Sequence, residues 1–138
     1  MSRRLVIDAS IGLAWVHPDQ STLATDALLD EVGQGVRPII PTLWSVEVAN
    51  ALLVLERRKK LKRDERLEAL EMLRALNADV DEEGHRFAFT RVTELAEQHG
   101  LSVYDATYLE LALRKRVPLA TKDGNLRHAA TKAGVLVR

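Results

Sequence analysis

The chain has 138 residues, of which 46% are hydrophobic, and this length suits one compact domain with a full core. It has no cysteine, which excludes disulfides, thiolate zinc sites and cysteine nucleophiles. Its 20 basic and 20 acidic residues cancel, so the overall charge gives no argument for a nucleic-acid partner. Without a repeat or a linker, residues 1–138 are expected to form a single domain. No apolar stretch approaches the length of a membrane span, so a cytoplasmic protein is expected.

The predicted elements alternate between strands and helices along the chain. Strands are predicted at the apolar runs Leu5–Ile7, Pro38–Pro41, Ala78–Asp81, Pro118–Thr121 and Val135–Val137. Helices are predicted at the amphipathic stretches from Ser10 to His17, Ser21–Val32, Leu43–Lys59, Lys62–Leu76, Arg86–Gln98, Ser102–Lys115 and Asn125–Ala133. This alternation predicts an α/β fold, in which helices cover both faces of a mainly parallel sheet of about four or five strands.

Four acidic residues do not fall on polar helix faces as the other acids do. Asp8 and Asp123 each follow a predicted strand, at the sheet edge where ligands bind in open parallel sheets. Glu47 and Asp105 lie on mostly apolar helix faces, where an unpaired carboxylate is costly. Each also has a local explanation, as a helix cap, a helix-dipole partner, a capping box with Ser102 or an Asp-Gly turn. Taken together, the four predict a cluster of carboxylates at one edge of the sheet.

A cluster of carboxylates needs protons or a cation to offset its repulsion. Without cysteine and with only 4 histidines, the available oxygen ligands favour Mg²⁺ or Mn²⁺ over zinc. Such an ion can activate water and orient a phosphate for in-line displacement. Ser10, Thr121 and Asn125 stand beside the acids, where they either hold metal-bound water or cap local turns.

Four blocks of the sequence resemble those of the PIN-domain ribonucleases, and most closely the VapC-type toxins of prokaryotic toxin–antitoxin pairs. The blocks are Val6–Ser10, Pro41–Asn50, Leu101–Tyr108 and Pro118–Asp123. The resemblance implies a PIN-like three-layer α/β/α sandwich. It also carries the family's catalytic and metal-binding acids onto Asp8, Glu47, Asp105 and Asp123.

The same resemblance implies further site residues, partners and a reaction. Ser10 and Thr121 match hydroxyl residues of the family, whereas some relatives have another acid where this chain has Asn125. The implied activity is that of a Mg²⁺- or Mn²⁺-dependent endoribonuclease acting on tRNA, ribosomal RNA or messenger RNA. A homodimer is implied, as is a cognate antitoxin that covers the site.

Two groups of basic residues are candidates for contacts with RNA phosphates. The run Arg57–Arg63 is almost entirely basic, but it begins almost three helical turns after Glu47, which favours a solvated helix end. Phosphate contacts are expected instead from the basic residues near the later acids, Arg114, Lys115, Arg116, Lys122 and Arg127. Trp15 and Trp44 are expected in the core.

Two other functions fit part of the pattern. A receiver-like domain that binds Mg²⁺ and accepts phosphate on Asp8 would give Lys122 a role, but it would leave Glu47 unexplained. A catalytically silent binding protein of the same fold would have no use for all four acids.

Overall fold

The centre of the fold is a parallel sheet built from short apolar runs. In a computed structural model, which describes residues 3–138, its strands are β1 (Arg4–Ile7), β2 (Arg37–Pro41), β3 (Asp79–Asp81) and β4 (Leu119–Ala120). The strand order is β3-β2-β1-β4. Val6 of β1 pairs with Ile39 on one side and with Leu119 on the other. β1 is therefore an inner strand, and its apolar residues are almost completely buried.

Helices pack on both faces of the sheet and complete the predicted α/β/α sandwich. They are α1 (Ala9–Val16), α2 (Leu23–Gly33), α3 (Thr42–Arg57), α4 (Arg63–Ala75), α5 (Thr93–His99), α6 (Val103–Lys115) and α7 (Gly124–Lys132). Trp44, Leu52 and Leu109 are among the side chains that fill the core between these layers. Among residues 3–138, no helix combines the length and the apolar character needed to cross a bilayer.

The helix predicted over Arg86–Gln98 is interrupted, so that prediction was wrong in its first half. Gly84–Phe87 is a 3₁₀ turn and Ala88–Val92 a π-helical turn, and only α5 is regular. The hydroxyl of Thr93 donates to the carbonyl oxygen of Ala88 at 2.6 Å. This bond gives a partner to a carbonyl in the wide turn, where the regular ladder of helical hydrogen bonds is broken.

The strand predicted at Val135–Val137 is also wrong in extent. Val137 forms a single parallel bridge with Leu119. β4 offers little more to pair with, because the chain leaves the sheet at Thr121, whose hydroxyl bonds to Asp8. The sheet therefore has four strands in the described part of the chain, the lower of the two predicted numbers.

Candidate active site

Asp8 lies at the carboxyl end of β1 and caps α1. Its Oδ1 accepts hydrogen bonds from the Ser10 hydroxyl at 2.5 Å and from the Ile11 amide at 3.3 Å. The hydroxyl of Thr121 donates to Oδ2. Burial raises the pKa of the Asp8 carboxyl, although its hydrogen bonds to Ser10 and Thr121 act in the opposite direction. Asp8 is thus both a helix cap and a buried carboxylate held on both oxygens.

The loop after β4 is tied to the start of α1 by the same two hydroxyls. The Thr121 hydroxyl accepts a hydrogen bond from the Asp123 amide at 3.0 Å, and that of Ser10 accepts one from the Lys122 amide at 2.9 Å. Asp123 caps α7 by accepting from the Asn125 amide at 2.9 Å. Ser10 and Thr121 therefore position Asp8 and Asp123 relative to each other, whereas Asn125 is exposed and contributes its backbone amide.

Glu47 is joined to α6 by a buried tyrosine. The phenol of Tyr108 donates to Glu47 Oε1 at 2.5 Å, and its side chain is 1% exposed. Burial, together with this hydrogen bond, raises the pKa of the Tyr108 phenol, so it stays a proton donor. The sequence pattern placed Tyr108 on an apolar helix face and did not indicate its contact with Glu47. The available signal was its position three residues after Asp105, which places both side chains on one side of α6.

Asp105 connects the four acids electrostatically. Its amide donates to the Ser102 hydroxyl at 3.0 Å, so the capping explanation holds for the backbone. Its side chain is partly buried. Burial raises the pKa of Asp105 to about 6, with further contributions from the charges of Asp123 and Asp8, a hydrogen bond with Asp123 and the charge of Glu47. The charges of all three other acids therefore raise the pKa of Asp105.

The charge of these acids is not offset by a basic partner in the described part of the chain. The ion pairs there use other acids, namely Asp19, Glu31, Glu56, Glu71, Asp79, Asp81, Glu83 and Glu110. Carboxylate and hydroxyl oxygens fit a hard divalent cation such as Mg²⁺ or Mn²⁺. As the side chains are placed, however, no three Asp, Glu or His residues among 3–138 form a complete ion site. Asp8 and Glu47 instead direct oxygens at the hydroxyls of Ser10 and Tyr108.

Three of the basic residues expected to contact RNA lie away from the acids. Arg114, Lys115 and Arg116 end α6, whereas Asp105 lies in its first turn, and about 1.5 Å per residue places Arg114 about 14 Å away along the axis. Arg114 also pairs with Asp81 at 2.6 Å and with Glu110 at 2.9 Å. The structure therefore does not bring this group to the acidic cluster.

Lys122 and Arg127 remain beside the cluster but make contacts within the protein. Lys122 Nζ donates to the Gln20 carbonyl oxygen at 2.5 Å, so its ammonium does not serve Asp8 as the receiver-like alternative requires. Arg127 Nη1 donates to the carbonyl oxygens of Thr121 at 3.0 Å and Arg138 at 2.9 Å. Arg127 thus supports the loop that carries Asp123.

Trp44 supports Asp8 from the core. Its indole is 4% exposed, as expected for a core residue, and Nε1 donates to the Asp8 carbonyl oxygen at 2.9 Å. Gly12 lies against the ring, and a Cβ at this position would be 2.6 Å from Trp44 Cζ2. The contact fixes the start of α1, a role that the sequence pattern did not indicate. Trp15 is also in the core.

Comparison with known proteins matches nearly the whole chain to one family and one fold. The family model described as PIN domain matches residues 5–132. The structure of PAE2754 from Pyrobaculum aerophilum has a TM-score of 0.72 and 20% identity, covering 97% of this chain and 88% of the other. VapBC2 from Rickettsia felis, solved with a DNA fragment from their promoter, has a TM-score of 0.67 and 12% identity, covering 98% and 97%. FitAcB from Neisseria gonorrhoeae has a TM-score of 0.63 and 21% identity, covering 96% and 95%. No curated protein matches the chain in sequence.

Proposed function

Because the chain belongs to the PIN domain family, whose members are generally nucleases, we propose that it is a metal-dependent endoribonuclease. The main support for this proposal is the raised pKa of Asp105, about 6. It reflects burial together with the negative charges of Asp123, Asp8 and Glu47. Acids that repel one another beside a sheet edge, with no basic partner in ion-pair contact among residues 3–138, are suited to a shared divalent cation. PIN nucleases generally use such ions.

In this proposal Asp8, Glu47, Asp105 and Asp123 hold the ion and are the catalytic residues. A bound Mg²⁺ or Mn²⁺ supplies Lewis acidity to the phosphate and lowers the pKa of water. Burial and the charges of Asp123, Asp8 and Glu47 raise the pKa of Asp105, so its ionised form is disfavoured in the metal-free protein. A divalent cation held by these carboxylates would offset their repulsion and favour their ionised forms.

Several neighbours of the acids have positioning roles. Ser10 and Thr121 hold Asp8 and the loop of Asp123, and Tyr108 holds Glu47. Asn125, exposed at the start of α7 next to the loop of Asp123, would help to position water or substrate in this proposal. Of the basic residues expected from sequence, Lys122 is retained as a phosphate contact beside the acids, with Arg127 supporting the loop.

The proposal is tested by RNA cleavage with purified protein, with and without Mg²⁺ or Mn²⁺. We expect cleavage that requires the ion and falls at least 100-fold in Asp8→Asn and Asp105→Asn, since charge stabilisation by such sites contributes roughly 10²–10³ in rate. Asp26→Asn, an exposed acid in the first turn of α2, is the matched control and is expected to retain activity. Undiminished cleavage in both site variants, with contaminating nuclease excluded, would refute the assignment.

We further propose that the chain is the toxin of a toxin–antitoxin pair, acting in the cytoplasm. Two of the similar structures, VapBC2 and FitAcB, are toxin–antitoxin complexes. The proposed partners are a cognate antitoxin that covers the acids, a second copy of the chain in a homodimer, and RNA of the transfer, ribosomal or messenger class. Induction of the chain is expected to arrest growth, and co-expression of a small reading frame immediately upstream is expected to restore it. Arrest that persists in Asp8→Asn would contradict the toxin proposal.

A further inference from the structure

The turn between α3 and α4 concentrates positive charge that the proposed function has not used. We call residues 57–63 the basic turn. Its basic residues are all exposed, namely Arg57, Arg58, Lys59, Lys60, Lys62 and Arg63. Leu61, 9% exposed, packs into the core cluster and anchors the turn. The backbone is thus fixed while the cations face solvent.

The charge of the basic turn is not neutralised by ion pairs in the described part of the chain. The acid before it, Glu56, pairs with Arg66 at 2.5 Å. After it, Glu65 Oε1 accepts from the Lys62 amide at 2.8 Å and Asp64 Oδ1 from the Glu65 amide at 2.9 Å. The nearby carboxylates are therefore occupied by Arg66 or by backbone amides at the start of α4. In a chain of net charge +0, this leaves a local surplus of positive charge.

The basic turn lies on a surface that begins at the acidic cluster. Glu47 is in the second turn of α3, and Arg58 follows the last residue of the same helix. At about 100° per residue the two lie on nearly the same side of α3, about 16 Å apart along its axis. Asn50 and Val54, which lie between them on that side, are exposed and partly exposed. A chain bound at Glu47 can therefore continue along α3 to Arg58.

A second connection runs along the end of α1. Lys60 lines a cleft of about 390 Å³ with His17 and Asp19. The next residue, Gln20, accepts a hydrogen bond from Lys122, which directly precedes Asp123. The basic turn and the loop of the acidic cluster thus border the same short segment. This segment gives the turn a fixed position relative to the cluster.

We propose that the basic turn binds the phosphate backbone of the RNA substrate, a few nucleotides from the bond that is cut. The inference rests on the proposed nuclease function and extends it to the nucleotides that flank the cleaved bond. Phosphates are the ligands that a cluster of exposed Arg and Lys residues recognises without regard to sequence. The turn is expected to contribute affinity and register, while the acids contribute the chemistry. In this proposal the basic turn, rather than Arg114, Lys115 and Arg116, contacts the phosphates of the RNA.

The test measures binding of a fluorescein-labelled single-stranded RNA by anisotropy at several KCl concentrations. The protein carries Asp105→Asn so that RNA stays intact in Mg²⁺, and the test variant adds Arg58→Gln and Lys62→Gln. The matched control adds Arg86→Gln and Arg91→Gln instead, which removes two exposed cations from another surface. We expect the test variant to bind several-fold more weakly, with the slope of log K against log salt reduced by about 1.4, or 0.7 per lost phosphate contact. The control is expected to keep the parent slope.

Cleavage by the otherwise intact protein provides a second readout. Arg58→Gln with Lys62→Gln is expected to raise KM and leave the rate at saturating RNA unchanged. Equal RNA affinity and equal salt dependence in the test and control variants would overturn the inference. So would a test variant that binds RNA normally and loses only the binding of a protein partner. RNA binding that depends on the basic turn in a protein that never cleaves RNA would refute the nuclease proposal and, with it, the position of the turn beside a cut bond, while the role of the turn in binding phosphate would stand. Cleavage by the parent protein, with RNA binding unaffected in the test variant, would refute the role of the basic turn and leave the nuclease proposal standing.

Discussion

The phenol of Tyr108 donates a hydrogen bond to Glu47 Oε1 at 2.5 Å, and this contact joins α6 to α3 at the acidic cluster. The two residues are 61 positions apart in sequence, and the tyrosine ring is buried. The contact gives one partly buried carboxylate a neutral donor in place of a cation. It also fixes the helix that carries Asp105.

Tyr108→Phe is expected to destabilise the protein and weaken metal binding. The change removes one hydrogen bond to a charged group, worth about 1.5–3 kcal/mol in the free energy of unfolding. Urea denaturation measures the first effect and calorimetric titration with Mn²⁺ the second. Tyr104→Phe is the control, since Tyr104 is 61% exposed in the same turn of α6 as Asp105. Equal stability of the two variants would contradict the role given to Tyr108.

The metal-free protein is expected to lose stability as pH rises from about 4 to 6. The pKa of Asp105 is raised from 3.8 to about 6, so the folded state binds its proton more tightly than the unfolded state. The stabilisation is present at pH below 3.8 and is lost as pH rises through the folded pKa. Asp105→Asn is expected to flatten this dependence and to stabilise the metal-free protein at pH 8 by roughly 1–2 kcal/mol, allowing for solvent screening.

Denaturation midpoints in EDTA at a series of pH values measure this effect. Mg²⁺ is expected to remove most of the difference between the parent protein and Asp105→Asn at pH 8, because the ion neutralises the same repulsion. Asp26→Asn serves again as the exposed control. Equal pH dependence of the parent protein and Asp105→Asn through this window would show that the acids do not raise the pKa of Asp105 by mutual repulsion.

Thr121→Val is expected to impair both stability and cleavage, because valine has nearly the same shape but no hydroxyl. The hydroxyl donates to Asp8 and accepts from the Asp123 amide at 3.0 Å, and the side chain is 1% exposed. Leaving buried polar groups without a partner costs about 1–3 kcal/mol. Thermal unfolding and cleavage assays measure the two effects, and Thr121→Ser is expected to restore both. Thr131→Val, which loses an exposed hydroxyl bonded within α7, is the control.

Gly12→Ala is expected to displace Trp44 and with it the carbonyl of Asp8. The added Cβ would lie 2.6 Å from Trp44 Cζ2, and overpacking of this kind costs about 1–3 kcal/mol. Gly33→Ala is the matched control, because its Cβ would meet no atom within 4 Å. It is expected to be neutral or to stabilise by up to about 1 kcal/mol, since alanine favours helices over glycine. Tryptophan fluorescence and urea denaturation compare the two, and equal stability would contradict the role of the Gly12–Trp44 contact.

The order and type of most elements could be predicted because their signals are local. Leu5–Ile7 has the unbroken apolar pattern of a strand buried on both faces, and β1 occupies that place. The segment at residues 84–92 could not be predicted, because its geometry depends on Thr93 reaching the Ala88 carbonyl, and a helical pattern does not reveal this. The extent of β4 likewise depends on where Thr121 leaves the sheet to meet Asp8.

The four acids could be singled out because each lies at a strand end or on an apolar helix face, where position alone carries information. Their hydroxyl partners were harder to assign, since a distance of 61 residues between Tyr108 and Glu47 leaves no local pattern. Prediction of the basic residues that contact RNA meets a related difficulty. Proximity in sequence to Asp105 favoured Arg114, but the axis of α6 carries Arg114 away from that acid and into contact with Asp81 and Glu110.

Thr121 meets Asp8 across 113 positions of sequence, so the acidic cluster closes only when β4 docks beside β1. Before that docking, nothing brings Asp123 close to Asp8, so their repulsion does not yet oppose folding. A contact of such long range forms late on average, because loop closure opposes it. We therefore expect Mg²⁺ to slow unfolding in stopped-flow experiments and to leave the folding rate nearly unchanged. The ion would thus increase the kinetic stability of the folded domain.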